Sequence, residues 1–295
     1  MKVLVTGGSG FLGSHVADAL TKRNHDVVSF DLKPSEYRQG NQKNIVGSIL
    51  DMEAFGDAMK GSDAVYHLAA IADIDDAVAW PLKTVEVNIL GTANALELAR
   101  INNVKRFVYS SSIYVYSDHG SFYRTSKRAA ELLIEDYQNN YGLSYSILRF
   151  GSLYGPRADN HNSVFRFLNQ ALTEGRIDYP GTGDEVREYI HVFDAASAAA
   201  DILDDEFENE RISLTGHERM KSSEMLGMVN EMMGRKLTIK YRKETDEGHY
   251  IETPYSYNPR LGKKLTHEKY IDLGLGLLDC LQNIDQNLNS GNNSL

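Results

Sequence analysis

Val3-Leu4-Val5-Thr6-Gly7-Gly8-Ser9-Gly10-Phe11-Leu12-Gly13 is the stretch that decides the fold. A short apolar run enters a glycine-rich turn. A helical pattern then places Phe11, Leu12, Val16, Ala19 and Leu20 on one side. Strand, turn and helix in that order give the spacing Gly-x-x-Gly-x-x-Gly a meaning it lacks alone. Gly7 suits the tight turn, and Gly10 lets a pyrophosphate approach the backbone closely. Gly13 lets the helix pack on the strand, with the helix N-terminus facing the phosphates.

Working outward, residues 27–30 read as a second strand ending in Asp31, 18 residues after Gly13. An acidic side chain there accepts hydrogen bonds from both adenosine ribose hydroxyls and repels a 2′-phosphate. It favours NAD over NADP, with Lys33 close enough to keep NADP as the minor alternative. Strand patterns recur at 44–46, 64–68, 107–109 and 145–148. Helical patterns recur at 52–60, 84–100 and 125–141. Such alternation predicts an α/β protein built on a Rossmann-type, doubly wound parallel sheet, with ligands at the carboxyl ends of the strands. The glycine turn, Asp31, Ala69-Ala70 and Ser110-Ser111-Ser112 all fall at such ends.

Beyond about residue 150 the alternation loosens. Helical patterns at 164–173, 194–203, 222–233 and 273–288 and short strands at 212–214 and 237–241 predict a smaller, mixed α/β C-terminal lobe over the ligand edge. The expected division is residues 1–150 for the dinucleotide, with 191–204 returning to that domain. Residues 151–287 form mainly a substrate lobe, and 288–295 a frayed polar tail.

A net charge of -10 argues against sequence-independent binding to nucleic acid or an anionic membrane. One cysteine, Cys280, excludes an internal disulfide framework and a cysteine-rich metal site, and its apolar neighbours predict that it is packed. No metal is expected. The apolar run at the start is too short for a signal peptide and no window reaches a membrane span, so a cytoplasmic enzyme is the default expectation.

Tyr123-Arg124-Thr125-Ser126-Lys127 follows the serine run. On a helix, residues four apart share a face, so Tyr123 and Lys127 can approach one point, where an ammonium would favour the phenolate. With 17 tyrosines in the chain such a spacing can arise by chance. Its weight comes from its place after a strand-end serine in a sheet that already carries a dinucleotide fingerprint.

Together with His67-Leu68-Ala69-Ala70, Asn88-Ile89-Leu90-Gly91-Thr92, Leu153-Tyr154-Gly155-Pro156-Arg157 and Arg187-Glu188-Tyr189-Ile190-His191-Val192-Phe193-Asp194, these motifs resemble the extended short-chain dehydrogenase/reductase family, the NAD-dependent nucleotide-sugar epimerases and dehydratases. The resemblance implies that the amides of Phe11 and Leu12 contact the pyrophosphate, and that Asp31 and Leu32 hold the adenosine ribose. Ser48 and Ile49 would lie at the adenine edge, where serine replaces the family's usual acid. Leu68, Ala69, Ala70 and Ser110 would line the cofactor, with Asn88 nearby, while His67 and His191 pack. Ser112, with Ser152, would touch the substrate, and Arg187 would grip its diphosphate.

The same resemblance implies a catalytic set of Ser112, Tyr123 and Lys127. Tyr123 takes the proton from a sugar hydroxyl at C4, Ser112 shares that hydrogen bond, and NAD takes the hydride. Lys127 lowers the Tyr123 pKa and bonds the nicotinamide ribose. Ile113 and Tyr114 stand where 4,6-dehydratases carry an Asp-Glu pair, which disfavours dehydration. A 4-epimerase acting on a nucleotide-linked sugar, UDP-linked above all, is favoured. A 4-keto reductase comes next, and a non-catalytic dinucleotide-binding protein comes last. Only 11 residues separate Ser112 from Tyr123, which removes a segment that often borders the sugar in the family. A homodimer through the helices at 84–100 and 125–141 is also implied.

Overall fold

In the computed structural model, the described residues are 1–217, 219–242 and 248–254. The expectations for Cys280, the helix at 273–288 and the tail lie outside them. Strand β1 (Lys2–Thr6) leads through the glycine turn into α1 (Phe11–Lys22), β2 (Asp26–Asp31), β3 (Lys43–Val46), α2 (Met52–Met59) and β4 (Ala64–His67). After α3 (Ile74–Ala79), α4 (Pro81–Thr84) and α5 (Gly91–Ile101) come β5 (Arg106–Ser112), α6 (Ser121–Tyr141) and β6 (Tyr145–Phe150).

Seven parallel strands form one sheet in the order β10-β6-β5-β4-β1-β2-β3, where β10 is Glu210–Leu214. The order reverses between β1 and β4, which opens the crevice that such sheets use for ligands. Strands buried on both faces read as apolar runs rather than alternations. In β1, Leu4 joins Phe30, Phe55, Leu96 and Phe107 on one face, while Val3 and Val5 join Leu20, Tyr66 and Val108 on the other. Phe30 and Phe55 stack with centroids 5.1 Å apart. On the second face α8 (Val192–Asp201) lies against α1, and its Ala195, Ala196, Ala199 and Ala200 allow a close approach.

Three differences from the expected elements have physical reasons. The helix expected at 84–100 is interrupted by π-helical turns at Val85–Leu90 before α5; apolar periodicity cannot separate i→i+4 from i→i+5 bonding. The helix expected at 125–141 begins at Ser121, because Gly120 at φ +91° turns the chain directly into it. The strand expected at 212–214 is β10, and it pairs with β6 at the edge of the main sheet. The return to the sheet therefore extends past 204.

A smaller layer holds the three-stranded sheet β11 (Arg219–Lys221), β9 (Val186–His191) and β7 (Ser152–Tyr154), and the pair β12 (Thr238–Tyr241) and β8 (Arg176–Tyr179). Phe167 and Ala171 of α7 (Ser163–Glu174) pack with Ile177, Leu226 and Val229, the last two from α9 (Ser222–Met232). Among the described residues no helix is long and apolar enough to cross a membrane.

Close packing of strand and helix rests on Gly13. A Cβ there would lie 2.0 Å from the Gly7 carbonyl oxygen, a backbone atom that cannot swing away. Gly13→Ala is expected to cost about 3 kcal/mol, the upper part of the usual overpacking range. Gly10→Ala, whose Cβ would meet the same oxygen at 3.3 Å, is expected to cost less. Thermal denaturation of the two variants checks this. Equal midpoints would contradict the packing.

Candidate active site

The first cleft runs along the carboxyl ends of β1, β2 and β4, with a cavity volume of about 580 Å³. At its floor, Gly7 turns with φ +68°, and a Cβ there would lie 2.8 Å from the amide nitrogen of Ala69. Gly10 caps α1 with no side-chain hydrogen bond, and Phe11, Leu12 and Gly13, whose amides precede the first intrahelical donor at Ser14, line the cleft. Asp31 is held in place by its carboxylate, which accepts from the Ser9 amide at 3.0 Å and the Lys33 amide at 3.3 Å. Leu32, Ser48, Ile49, Leu68, Ala69, Ala70 and Ser110 line the same cleft. Ser48 Oγ accepts from the Leu50 amide at 3.2 Å, so the serine that replaces an acid also organises its own turn.

Asn88 and His67 stand behind this wall. Asn88 Oδ1 accepts from the Ile71 amide at 2.8 Å, and its Nδ2 donates to the Ile71 carbonyl at 3.0 Å and to Ser126 Oγ at 3.0 Å. Ser126 Oγ donates on to the Tyr123 carbonyl at 2.8 Å. Asn88 thus fastens the loop after Ala70 to the turn that carries Tyr123. His67 lies between Thr6 Oγ1 at 2.9 Å and Thr92 Oγ1 at 3.2 Å, and burial pushes it down to about 3, so it packs as a neutral ring.

Ser112 ends β5, and Tyr123 and Lys127 follow in the first turns of α6. Ser112 Oγ bonds the Tyr123 phenol. Lys127 is buried and donates from Nζ to the Ser110 carbonyl at 2.6 Å, with Nζ 5.7 Å from the centre of the Tyr123 ring. One turn on, Glu131 is buried beside them. It accepts from Ser111 Oγ at 2.5 Å and pairs with Arg149 at 2.6 Å.

The expectation that Lys127 lowers the Tyr123 pKa is corrected by this geometry. Burial pushes Tyr123 up to about 12, opposed by the Ser112 hydrogen bond. Burial also pushes Lys127 down to about 7, opposed by Glu131. Desolvation is the largest influence on both groups.

A second cavity of about 410 Å³ shares Phe11, Phe150, Leu153 and Tyr123 with the first, so Tyr123 stands at their junction. Ser112, Ser152 and Arg187 line it. Arg187 lies over the Tyr250 ring at 4.3 Å, and its NH1 donates to the Val186 carbonyl at 3.1 Å and the Ile251 carbonyl at 3.3 Å. Two contacts at its edge, of which Tyr114 and His249 line the cavity, were not anticipated as functional. Tyr114 bonds His249 Nδ1 at 2.5 Å, and Tyr250 packs on Tyr114 with centroids 4.7 Å apart. A sequence separation of 135 leaves no local signal for the first pair. Among the described residues, no group of three or more His, Cys, Asp or Glu side chains could hold a metal.

The residues present fit a dinucleotide. Gly7 and Gly13, where a Cβ would strike the backbone of Ala69 and of Gly7, keep the turn tight beneath the cleft, the uncapped amides of α1 suit a pyrophosphate, and the tethered Asp31 carboxylate suits a ribose. A doubly wound sheet with that cradle, a serine at a strand end and a tyrosine and lysine on the following helix defines an enzyme of the short-chain dehydrogenase/reductase type.

Comparison with known proteins narrows this class. The chain belongs to the NAD dependent epimerase/dehydratase family, whose model matches residues 3–214. It is 30% identical to a dTDP-D-glucose 4,6-dehydratase of Dictyostelium discoideum over 68% of this chain, and spans 55% of that relative's length. The solved UDP-glucose 4-epimerase of Thermotoga maritima with UDP-glucose is 26% identical, with TM-score 0.78 over 87% of this chain and 90% of that one. The solved UDP-glucose 4-epimerase of Thermus thermophilus in complex with NAD is 28% identical, with TM-score 0.78 over 89% of this chain and 95% of that one. The chain is an NAD-dependent enzyme of this family.

A titration of Lys127 follows from its burial. Its pKa falls from 10.5 to about 7 on folding, so between those values the unfolded chain binds a proton that the folded chain does not. Folding therefore gains stability from this group as pH rises through that window. Tyr123 acts in the opposite sense only above its unfolded value of 10.0. Wild type is expected to gain stability relative to Lys127→Met as pH rises from about 7 to 10. Denaturant unfolding at several pH values checks it; a constant difference would mean that Lys127 stays charged.

Proposed function

We propose that the protein is an NAD-dependent nucleotide-sugar 4-epimerase, with a UDP-linked sugar as substrate. The observation that carries the proposal is the meeting of Ser112, Tyr123 and Lys127 at the junction of two cavities, with Ile113 and Tyr114 rather than two acids next to Ser112. Residues 1–150 hold NAD, and the described part of the chain beyond 151 supplies most of the nucleotide-sugar wall.

Bound NAD supplies a hydride acceptor and, through its cationic nicotinamide, a charge that favours the phenolate. Phe11 and Leu12 amides hold the pyrophosphate, and Asp31 and Leu32 hold the adenosine ribose. Ser48 and Ile49 border the adenine, while Leu68, Ala69, Ala70 and Ser110 line the rest. Lys127 hydrogen-bonds the nicotinamide ribose. Tyr123 takes the proton of the sugar C4 hydroxyl while Ser112 donates to or accepts from the same oxygen. The proton on Tyr123 returns to that oxygen when the cycle closes, so inversion at C4 needs no further acid. Loss of water from the sugar would need one. Ile113 is a buried hydrocarbon, and Tyr114 already bonds His249. Arg187 offers a planar fork to the diphosphate, and Ser152 lies on the same wall.

The helices α4 to α6 leave Leu82, Leu90 and Leu132 exposed. We propose that two copies meet on this face, and Leu132→Glu is expected to convert a dimer to a monomer in light scattering. A wild-type monomer would remove the dimer.

For the reaction, Tyr123→Phe is expected to retain NAD while kcat falls by about 100- to 10,000-fold. Wild type is expected to interconvert C4 epimers by NMR with no net change in NADH absorbance. Stoichiometric NADH formation or consumption would make the enzyme a dehydrogenase or reductase instead.

A further inference from the structure

One cation on the wall of the first cleft stands outside the catalytic set. Lys83, in the last turn of α4, lines that cleft together with the glycine turn, Ile71 and Val87. Its Nζ donates to Glu86 at 2.7 Å, with the two side chains 54% and 47% exposed. The backbone beneath it is fixed on both sides. Thr84, the next residue, is fully buried and donates from Oγ1 to the Trp80 carbonyl at 3.0 Å. Asn88, in the π-helical turn that follows, clasps the Ile71 amide at 2.8 Å and the Ile71 carbonyl at 3.0 Å. A held backbone thus carries a charge on four rotatable carbons.

Binding a dinucleotide means bringing a doubly charged pyrophosphate into this cleft. Among the described residues that line it, the ionisable groups are Asp31, Lys83, Tyr123 and Lys127. Asp31 adds a carboxylate. Lys127 is buried, gives Nζ to the Ser110 carbonyl at 2.6 Å, and is pushed by burial down to about 7. Lys83 is the exposed cation of that wall. Its bond to Glu86 spans three residues in an open setting, where such pairs contribute little. Two phosphate charges can therefore compete for Nζ with one carboxylate.

We propose that Lys83 is a clasp for the cofactor's pyrophosphate, exchanging Glu86 for the phosphates when the dinucleotide binds. This rests on the placement of the pyrophosphate at the Phe11 and Leu12 amides, proposed above, and adds the side-chain cation which that placement lacks. The amides of α1 supply direction, since they are fixed donors at a helix start, and Lys83 supplies charge. Glu86 is then a competitor that holds Nζ until a phosphate displaces it.

The test compares ADP-ribose, which carries the pyrophosphate, with adenosine, which does not, by calorimetry on the full chain. Wild type should bind ADP-ribose more tightly than adenosine. In Lys83→Met that ratio should fall roughly 5-fold, the effect of one lost charge-assisted hydrogen bond in a partly open site, with adenosine within about 2-fold of wild type. Glu86→Gln should raise ADP-ribose affinity about 2-fold, a gain that disappears in the Lys83→Met background. The loss in Lys83→Met should shrink between about 0.05 and 0.5 M salt, since screening acts on a charge and not on the lysine's stem. Lys60→Met, which breaks the exposed pair of Lys60 with Asp57, is the matched control and should leave the ratio unchanged. A ratio unchanged in Lys83→Met, an equal fall in Lys60→Met, a loss that salt leaves untouched, or weaker ADP-ribose binding in Glu86→Gln would each overturn the clasp alone. A wild type that binds ADP-ribose no more tightly than adenosine would overturn the pyrophosphate placement along with it.

Discussion

The hydrogen bond from Lys127 Nζ to the Ser110 carbonyl, at 2.6 Å, is the tie on which the site depends. It joins α6 to the end of β5 and leaves a buried amine 5.7 Å from the centre of the Tyr123 ring. One turn further on, Glu131 repeats the tie through Ser111 and extends it to Arg149 of β6. Three successive serines therefore do three jobs: a carbonyl for the lysine, a hydroxyl for the glutamate and a hydroxyl for the tyrosine. Removing one partner of the Glu131–Arg149 pair would strand a charge in a dry setting, which costs more than the intact pair contributes.

That same dryness sets the chemistry. Burial moves Tyr123 and Lys127 in opposite directions, the phenol up to about 12 and the amine down to about 7, so the protein alone holds both towards their neutral forms. A base poised in this way answers to whatever charge arrives in the cleft. Favouring the phenolate then becomes coupled to the dinucleotide, and the tyrosine stays protonated, and harmless, otherwise.

The dinucleotide half of the molecule was legible in the sequence because backbone geometry dictates residue type there. Gly7 and Gly13 leave no space for a side chain, and Asp31 has to end the strand beside them. The parallel, doubly wound class of the sheet followed from alternation, since apolar runs such as Val3-Leu4-Val5 need cover on both faces. What escaped was whatever depended on partners far away in the chain. Asn88 was legible as a member of a motif, but not as the clamp joining Ile71 to Ser126. The Lys127 effect on Tyr123 was inferred from spacing and resemblance, and neither says anything about desolvation. The π-helical turns and the pairing of β10 with β6 were hidden for the same reason, because neither alters the apolar pattern.

The two cavities differ in kind, and Tyr123 belongs to both. The first is lined by Gly7, Gly10 and Gly13 of the glycine turn and by Asp31 at the end of β2. Side chains brought together across the chain make up the second, with Tyr114 and His249 135 positions apart and Arg187 seated on Tyr250. A wall of that kind can change its ligand by single substitutions without disturbing the cradle or the base. The segment at 248–253 is tied through its Gly248 carbonyl to the Gly120 amide and through its Ile251 carbonyl to the Val186 amide, and its His249 lines the second cavity. The two cavities adjoin along Phe11, Ala72, Tyr123, Phe150 and Leu153, so a change in that shared wall reaches both.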